Sequence, residues 1–203
     1  MNIDSNTMRF GVIGDPIAHS LSPLMMNHAF AVVGLNAVYM AFHVKPEQLE
    51  HAMSGIRGLG FRGANVTIPH KQAVMDYLDE IDDGARVIGA VNTVVNEGGK
   101  LIGYNTDGIG YVRSLEEECN IDLQGRNIVL IGAGGAARGV AYALAKKNPS
   151  SICIVNRTVE KAEQLAASLA AYGDIRGMGM EKLDDIKEHA DIVINTTSLG
   201  MHP

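Results

Sequence analysis

The sequence of 203 residues predicts an α/β protein with two domains, because short apolar strands alternate with helical segments along the chain. A second observation is the aliphatic run at 128–131, which is typical of a strand buried on both faces of a parallel sheet. A third is the glycine-rich turn that follows this run and leads into a helix-forming segment. We therefore expect an α/β domain over residues 1–107 and a doubly wound parallel-sheet domain over residues 108–203.

The composition is that of a globular chain and excludes several classes of protein. Hydrophobic residues make up 46% of the sequence and charged residues 20%. The net charge of −6 argues against nucleic acid as the main partner. No apolar run is long enough to span a bilayer, and the first ten residues lack the apolar core of a signal peptide. We expect a cytoplasmic protein, monomeric or homodimeric, with neither a disulfide framework nor metal ligands.

The first domain is predicted to alternate strands and helices and to close with a hairpin. Strands are predicted at 9–13, 37–44 and 61–67, helices at 24–33, 46–57 and 72–78, and the hairpin strands at 91–95 and 100–104. Ser22 is a plausible N-cap of the first helix, with Pro23 at its first position and Gly34 after its end. A further helix, capped by Thr106 or Asp107, should run to about Cys119.

The second domain is predicted to have four strands, of which the first is the aliphatic run already described. The others are expected at 151–155, 174–178 and 191–195, the last of them as an exposed edge. The helix after the glycine-rich turn is expected at 140–145, where breakers are absent.

The glycine-rich turn itself has the spacing of a dinucleotide-binding motif. Gly132 allows a tight turn, Gly134 has no Cβ to block a pyrophosphate, and Ala137 lets the helix pack closely on its strand. The amide groups at the helix N-terminus would face the phosphates. A tight β–α turn without a ligand is the alternative, and the strand before the motif and the helix after it favour the nucleotide site.

The residues after the next strand indicate NADP rather than NAD. An NAD-binding domain carries a carboxylate about 20 residues beyond the glycines, where it binds the ribose 2′-hydroxyl. This chain has Asn156, Arg157 and Thr158 there, with Lys161 one helical turn later. A carboxylate would repel a 2′-phosphate, whereas a guanidinium binds it through charge-assisted hydrogen bonds.

Polar residues in the first domain gather at predicted strand ends and loops, where α/β proteins place their sites. Ser20 and Ser22 precede a helix, whose N-terminus could help the two hydroxyls to hold a carboxylate. Asn65 and Thr67 share one face of an extended segment. Lys71 is expected in the first turn after Pro69, at the start of a helical segment, where a positive charge is unfavourable, which suits a general acid–base role.

Each of these residues also has a plain structural explanation. Ser22 could serve only as a helix cap, Lys71 could be a solvated surface lysine, and Asp107 could be an N-cap. Together with Asn92 they supply hydroxyls, amides, one amine and one carboxylate, which is the set required to hold a small polyhydroxylated acid.

Six motifs in series resemble those of the shikimate dehydrogenase family. They are HSLSP (19–23), NVTIPHK (65–71), GAVNT (89–93), GYNTDG (103–108), GAGGAAR (132–138) and NRT (156–158). The resemblance implies the NADPH-dependent reduction of 3-dehydroshikimate to shikimate, a step in the biosynthesis of aromatic amino acids.

The resemblance also implies roles for individual residues. Lys71 would exchange a proton with the oxygen at C3 of the substrate, with Asp107 as its partner. The substrate carboxylate and hydroxyls would be bound by Ser20, Ser22, Thr67, Asn65, Asn92 and Asp107. The cofactor would be bound by Gly132, Ala133, Gly134, Gly135, Ala136, Asn156, Arg157, Thr158, Lys161, Thr197, Met201 and, on resemblance alone, Asp83.

Members of this family have longer chains, so we expect a C-terminally truncated chain that stops before the second half of the doubly wound domain. Three alternatives stay open. A quinate/shikimate dehydrogenase that uses NAD is disfavoured by Arg157, and a non-catalytic shikimate- or NADP-binding module by the presence of both Lys71 and Asp107. A methylenetetrahydrofolate dehydrogenase fits the serine pair and the NTDG motif poorly.

Overall fold

The computed structural model describes residues 3–197 and 199. The chain folds into two compact units, Met1–Asn105 and Thr106–Pro203, which we call the first and second units. The division falls after Asn105, whereas the sequence predicts it after residue 107, so Asp107 belongs to the second unit.

The first unit is built on a six-stranded sheet. Its strands are β1 (Met8–Gly14), β2 (Ala37–His43), β3 (Gly63–Val66), β4 (Glu80–Ile81), β5 (Thr93–Glu97) and β6 (Lys100–Tyr104). They lie in the order β2-β1-β3-β5-β6-β4, and only β5 runs antiparallel to its neighbours. The carboxyl ends of the other five strands therefore share one edge of the sheet with the amino end of β5.

Helices cover both faces of this sheet. Neighbouring residues of a strand point to opposite sides, so apolar residues next to each other in β1 pack against different helices. The helices are α1 (Ser22–Val32), α2 (Leu49–Gly58) and α3 (Asp83–Ile88). Ile13 packs in one core cluster with Leu49, Met53 and Ile56 of α2, which are spaced at i, i+4 and i+7 and so share one face of the helix. The adjacent Val12 packs in a second cluster, with Phe30 of α1 and Tyr39 of β2 among its members.

The first unit departs from the sequence prediction in several places, and β3 and β5 are among them: β3 is shorter than the segment expected at 61–67, and β5 begins two residues after the strand expected at 91–95. The helix expected from residue 46 begins with a 3-10 turn, Pro46–Gln48, before α2. The segment expected as a helix at 72–78 is a single 3-10 helix, Ala73–Tyr77. β4 and α3 were not predicted; β4 has only two residues, which is too short an alternation to be recognised.

The second unit has a four-stranded parallel sheet. Its strands are β7 (Asn127–Ile131), β8 (Ser151–Asn156), β9 (Ile175–Gly179) and β10 (Ile192–Asn195), in the order β10-β7-β8-β9. Its helices are α4 (Asp107–Cys119), α5 (Gly135–Ala145), α6 (Val159–Ser168) and α7 (Leu183–Lys187). This order is that of the first four strands of a doubly wound dinucleotide fold, so the predicted fold class is confirmed.

The four strands confirm the predicted positions to within a residue at either end, and β10 lies at the sheet edge as expected. Val193 of β10 is 53% exposed, whereas Leu130 of β7 and Ile154 of β8 are fully buried. The chain reverses direction across the sheet between β7 and β10, which is where such folds place a ligand. None of the helices among the described residues combines the length and apolar character that a membrane crossing requires.

The helix after the glycine turn is longer than predicted, because α5 begins at Gly135 rather than at residue 140. The residues between these two positions are mostly alanine and glycine, which leave the helix free to start directly after Gly134. Its first amide groups therefore lie within the glycine motif itself.

Candidate active site

In the first unit, the predicted site residues gather at the edge formed by the carboxyl ends of the parallel strands. We call this group the carboxyl-edge cluster, and it comprises Ser20, Ser22, Asn65, Thr67, Lys71 and Asn92. Ser20 and Ser22 lie after β1, Asn65 to Lys71 lie at and beyond the end of β3, and Asn92 directly precedes β5. The antiparallel run of β5 brings its amino end to this edge, and Thr93 lies opposite Asn65 in the ladder.

The two serines stand at the start of α1, although not with the capping role expected. Leu21 occupies the N-cap position, and Ser22 is the first residue of the helix. The hydroxyl Oγ of Ser20 instead accepts a hydrogen bond of 3.3 Å from the amide of Ser22. The prediction that Ser22 caps the helix is therefore wrong, since the backbone enters the helix one residue earlier than the pattern indicated.

Asn65 and Asn92 belong to one hydrogen-bonded network. The side-chain amide of Asn65 donates to the carbonyl oxygen of Asn92 at 3.3 Å and to Oγ1 of Thr93 at 3.2 Å. The hydroxyl of Thr93 in turn donates to Oδ1 of Asn92 at 2.9 Å. On the other side, the hydroxyl of Tyr39 donates to Oδ1 of Asn65 at 2.6 Å. Asn92 is only 7% exposed and Asn65 is half-buried.

Thr67 is fixed at the end of β3 by its backbone and by close packing. Its amide donates to the carbonyl oxygen of Ile13 at 3.0 Å. A Cβ added to Gly14 would lie 2.5 Å from the methyl group of Thr67, so only glycine at position 14 leaves space for this threonine. The same strand pair therefore positions Thr67 and requires a glycine beside it.

Lys71 lies in a turn before the 3-10 helix Ala73–Tyr77 and not in the first turn of an α-helix. Its positive charge is therefore not disfavoured by an α-helix N-terminus, contrary to the prediction. The backbone on either side of it is nevertheless tightly held. Val91 donates its amide to the carbonyl oxygen of Lys71 at 2.7 Å. Nε2 of the fully buried His70 donates to the carbonyl oxygen of Val44 at 2.6 Å.

Asp83, expected near the cofactor on resemblance alone, is an exposed residue in the first turn of α3. It follows β4, the strand at the far side of the sheet from β1 and β2. The first unit does not bring it into the network of Asn65 and Asn92. A carboxylate at a helix N-terminus is stabilised by the helix dipole, which explains the residue without a ligand.

In the second unit, the glycine turn follows β7 as predicted. Gly132 has φ of +114°, in the region that favours glycine. A Cβ at this position would also lie 2.5 Å from Oγ1 of Thr196, so the loop after β10 approaches the turn closely. Ala137 is fully buried, which agrees with its predicted role in packing α5 on the sheet.

The other residues of the turn are accessible. Gly134 is the N-cap of α5, and a Cβ built on it would meet nothing within 4 Å. Gly135 and Ala136 are also exposed, whereas Ala133 is largely buried. A cleft of about 450 Å³ adjoins this turn and is lined by Ile131, Gly132, Val155, Asn156, Arg157, Met180, Thr197 and Leu199. Three groups predicted to bind the cofactor, at Gly132, Asn156–Arg157 and Thr197, thus line one cleft, while Met201 lies outside the described residues.

Arg157, just after β8, and Lys161, in α6, are both exposed. Arg157 and Lys161 make no ion pair among the residues that the structure describes. The side-chain amide of Asn156 donates to the carbonyl oxygen of Thr158 at 2.9 Å, which fixes the turn between β8 and α6. An exposed guanidinium and an exposed ammonium suit an anionic ligand such as a 2′-phosphate.

Asp107 is the first residue of α4, and Thr106 takes the N-cap position. The next residue, Gly108, lies where α4 crosses α5, because a Cβ there would overlap the carbonyl group of Gly139. The glycine of the NTDG motif is therefore required by helix packing within the second unit, a reason that the sequence pattern did not reveal. This contact fixes the start of α4, and with it Asp107.

Three residues that support these groups were not singled out from the sequence, namely Asn27, Tyr39 and His70. Tyr39 bonds to Asn65 and His70 bonds to Val44, each 26 positions away in the sequence. Nothing local to a tyrosine in a strand or to a histidine after a proline indicates such a partner. Asn27 carried a weak signal, because it is an amide within an otherwise apolar helical segment.

Comparison with known proteins agrees with the two halves of this arrangement. A family model for the shikimate dehydrogenase substrate binding domain matches residues 12–94, and a model for shikimate / quinate 5-dehydrogenase matches residues 114–201. The shikimate dehydrogenase (NADP(+)) of Geobacillus sp. (strain WCH70) is 53% identical over 194 residues, covering 96% of this chain and 70% of that protein.

The chain belongs to the shikimate dehydrogenase family.

Solved structures of family members share the fold described above. A shikimate dehydrogenase in complex with NADP+ is 50% identical, with a TM-score of 0.88, over 100% of this chain and 70% of the other. The shikimate 5-dehydrogenase of Listeria monocytogenes, in complex with shikimate and NAD, is 36% identical with a TM-score of 0.94, over 100% of this chain and 73% of the other. The resemblance indicated by the six motifs is thus confirmed.

Proposed function

We propose that this shikimate dehydrogenase homologue reduces 3-dehydroshikimate to shikimate with NADPH. The observation that carries the proposal is the carboxyl-edge cluster, in which hydroxyls, amides and Lys71 lie at one edge of a sheet. Relatives of this chain that bear the same family name are NADP(+) enzymes, which agrees with the charges at the end of β8.

The second unit fits NADP by the chemistry of its residues. Exposed amide groups at the start of α5 suit a pyrophosphate, because a helix N-terminus favours negative charge. Arg157 and Lys161 suit the 2′-phosphate, and Asn156 and Thr158 form the turn that presents them. Thr197 lines the same cleft. When NADPH is bound, it supplies the hydride for reduction of a carbonyl carbon.

In the mechanism that we propose, Lys71 acts as the general acid. Negative charge that develops on the carbonyl oxygen at C3 of the substrate is neutralised by a proton from Nζ of Lys71. In the reverse direction, the amine accepts the proton of the C3 hydroxyl. Asp107 is proposed to bind a neighbouring hydroxyl of the substrate. General acid–base catalysis of this kind contributes roughly 10²–10⁴-fold to a rate.

The remaining residues of the carboxyl-edge cluster hold the substrate. Ser20, Ser22 and Thr67 provide hydroxyl groups for its carboxylate, and Asn65 and Asn92 provide amides for its ring hydroxyls. The substrate would thus be bound by uncharged groups that are already placed by the sheet, which reduces the entropy lost on binding.

The cofactor and the substrate each have one close competitor, NAD and quinate. A structural neighbour binds NAD, so the fold alone does not select NADP. We propose NADP for this chain because Arg157 stands where a carboxylate would be required for tight binding of the ribose 2′-hydroxyl.

The proposal is tested by following the absorbance of the reduced nicotinamide while shikimate or quinate is oxidised with NADP or NAD. We expect the highest kcat/KM for shikimate with NADP. Equal or higher kcat/KM with NAD would overturn the cofactor assignment, and faster oxidation of quinate would overturn the substrate assignment.

Location and assembly stay predictions. We propose a cytoplasmic protein that is a monomer or a homodimer and that acts on a small molecule rather than on nucleic acid. Cell fractionation, and size-exclusion chromatography with light scattering, would test these two points.

A further inference from the structure

The segment that contains α1 and β2 has no charged side chain, with histidine counted as neutral. No aspartate, glutamate, lysine or arginine occurs at residues 16–44, between Asp15 and Lys45. In a sequence of which 20% is charged, this is the longest uncharged stretch, and no other is half as long. An uncharged segment is ordinary where it is buried, but much of this one lies on the surface.

The exposed side of α1 carries a stripe of large apolar side chains. Leu24, His28 and Val32 follow one another at intervals of four residues and so share one side of the helix, with Met25 beside them. We call these four residues the α1 stripe. Leu24 is 75% exposed, Met25 63% and Val32 72%, and His28 is exposed as well, whereas Phe30 is the one residue of this helix that is buried.

The exposure of large apolar side chains is concentrated around this stripe. Of the fifteen that are exposed among the described residues, seven lie within residues 21–40. Single exposed apolar residues are normal, but a contiguous group of them is typical of a surface that another protein covers.

The strand beneath α1 cannot readily be covered by a strand of another molecule. β2 is the outermost strand on its side of the sheet. Oδ1 of Asn27 accepts from the amide of Tyr39 at 2.9 Å, and Nδ2 of Asn27 donates to the carbonyl oxygen of Tyr39 at 2.8 Å. Because α1 satisfies both backbone groups in the middle of β2, pairing with a further strand is blocked there. A partner must therefore pack on the helix.

The lack of charge indicates which partner fits. A charged group placed against the α1 stripe would lose its water without gaining a counter-charge, so the matching surface must itself be apolar and uncharged. The α1 stripe of a second copy meets this condition, and a two-fold axis places the same surface of two copies face to face. Each copy has a net charge of −6, and a surface without carboxylates is where two such chains repel each other least.

The available area agrees with a stable dimer. Full burial of one aliphatic side chain removes roughly 100 Å² from water. The seven exposed side chains within residues 21–40 therefore supply several hundred Å² per copy. A stable interface takes about 800 Å² from each partner, so the stripe and the exposed alanines beside it come near this size.

We propose that this chain forms a homodimer in which the α1 stripes of two copies pack against each other around a two-fold axis near His28. In such a contact, the residue in the middle of the stripe faces its own equivalent. The inference selects one of the two assemblies proposed above, and it does not depend on the reaction that the protein catalyses.

Sedimentation velocity of the whole chain over a wide range of concentrations tests the proposal. We expect wild type to sediment at twice the 21.7 kDa mass of one chain. Val32→Glu should raise the dissociation constant of the dimer roughly 100-fold or more, because the dimer would bury two carboxylates without a counter-charge. Circular dichroism and the unfolding temperature should show that this variant is folded, since Val32 is 72% exposed.

Leu59→Glu is the matched control. Leu59 is 68% exposed and lies at the C-terminus of α2, as Val32 lies at the C-terminus of α1, so the helix dipole affects the two added carboxylates alike. α2 packs in the other core cluster of the first unit, away from the α1 stripe. Leu59→Glu should therefore remain a dimer.

Cross-linking locates the axis. His28→Cys, in a chain whose exposed Cys119 is replaced by serine, should form a covalent dimer on mild oxidation, seen by non-reducing electrophoresis. Leu59→Cys in the same background should not. A monomeric wild type, a dimer that Val32→Glu leaves intact, or a dimer that His28→Cys does not cross-link would each overturn the proposal. All three measurements are made without substrate, so their failure is distinct from failure of the proposed function, in which the chain would oxidise no shikimate.

Discussion

The groups proposed to bind ligands differ in kind between the two units. In the first unit, the polar side chains bind one another: Tyr39, Asn65, Thr93 and Asn92 form a connected network before any substrate arrives. In the second unit, the groups assigned to the cofactor are backbone amides at the start of α5 and exposed charges such as Arg157. The first kind of site depends on the orientation of side chains, and the second depends on backbone shape and net charge.

This difference determines how far the effect of a substitution should spread. A change in a connected network leaves partner groups unsatisfied, so its effect reaches residues that never touch the substrate. A change at an exposed charge removes only that charge. The following predictions test the contrast, beginning with the largest effect.

Lys71→Ala should lower kcat by roughly 10²–10⁴-fold and change the KM for shikimate far less, because the amine supplies a proton only as the reaction proceeds. Steady-state kinetics with shikimate and NADP measure both constants. Lys100→Ala is the control, since Lys100 pairs with Glu80 on the surface at the opposite edge of the sheet. If kcat of Lys71→Ala stays within a few fold of wild type, Lys71 is not the general acid.

Arg157→Ala should raise the KM for NADP by roughly 10- to 100-fold, the loss expected for charge-assisted hydrogen bonds to a phosphate. The KM for NAD, which lacks the 2′-phosphate, should change little. Titration of each cofactor at saturating shikimate measures the difference. A parallel loss of affinity for both cofactors would show that Arg157 shapes the cleft rather than reads the phosphate.

Gly108→Ala should lower the free energy of unfolding by about 1–3 kcal/mol, because its new Cβ overlaps the carbonyl group of Gly139 where α4 packs on α5. Gly110→Ala in the same helix meets no atom within 4 Å and should be neutral or stabilising by up to about 1 kcal/mol. Urea unfolding of both variants provides the comparison. Equal stability of the two variants would disprove the close packing.

The smallest effect concerns the pH dependence of stability. The pKa of Tyr39 is raised from 10.0 to about 12 by burial, so its contribution to stability is complete below pH 10.0 and is lost as the pH rises toward 12. Over that interval, wild type should lose more stability than Tyr39→Phe, which has no group to ionise. Thermal unfolding at a series of alkaline pH values measures the difference. Parallel curves for the two proteins would show that the phenol is not specially protected.

The sequence predicted the second unit more completely than the first, for a physical reason. The function of the glycine turn follows from local backbone geometry, so Gly132, Gly134 and Ala137 could be assigned from spacing alone. Gly132 has the positive φ that this predicts, and Ala137 is buried. Asn65 and Thr67 could also be placed on one face, because alternation along a strand is local.

What the sequence could not predict depends on contacts between distant segments. Tyr39 reaches Asn65 only because β1 pairs with both β2 and β3, and neither residue type specifies that pairing. Lys71 was singled out for its motif but for a wrong structural reason, because the segment after it forms a 3-10 turn. Gly108 lies against Gly139 only because α4 crosses α5, and that crossing has no local signature in either helix.

The central claim is that most groups proposed to bind shikimate form a side-chain network in the first unit, whereas those proposed to bind NADP are backbone amides and exposed charges of the second unit. The most direct test is to measure the KM for shikimate and the KM for NADP in both Asn65→Ala and Arg157→Ala. We predict that Asn65→Ala raises only the KM for shikimate and that Arg157→Ala raises only the KM for NADP. If either substitution raises both constants by similar factors, the division of recognition between the two units is contradicted.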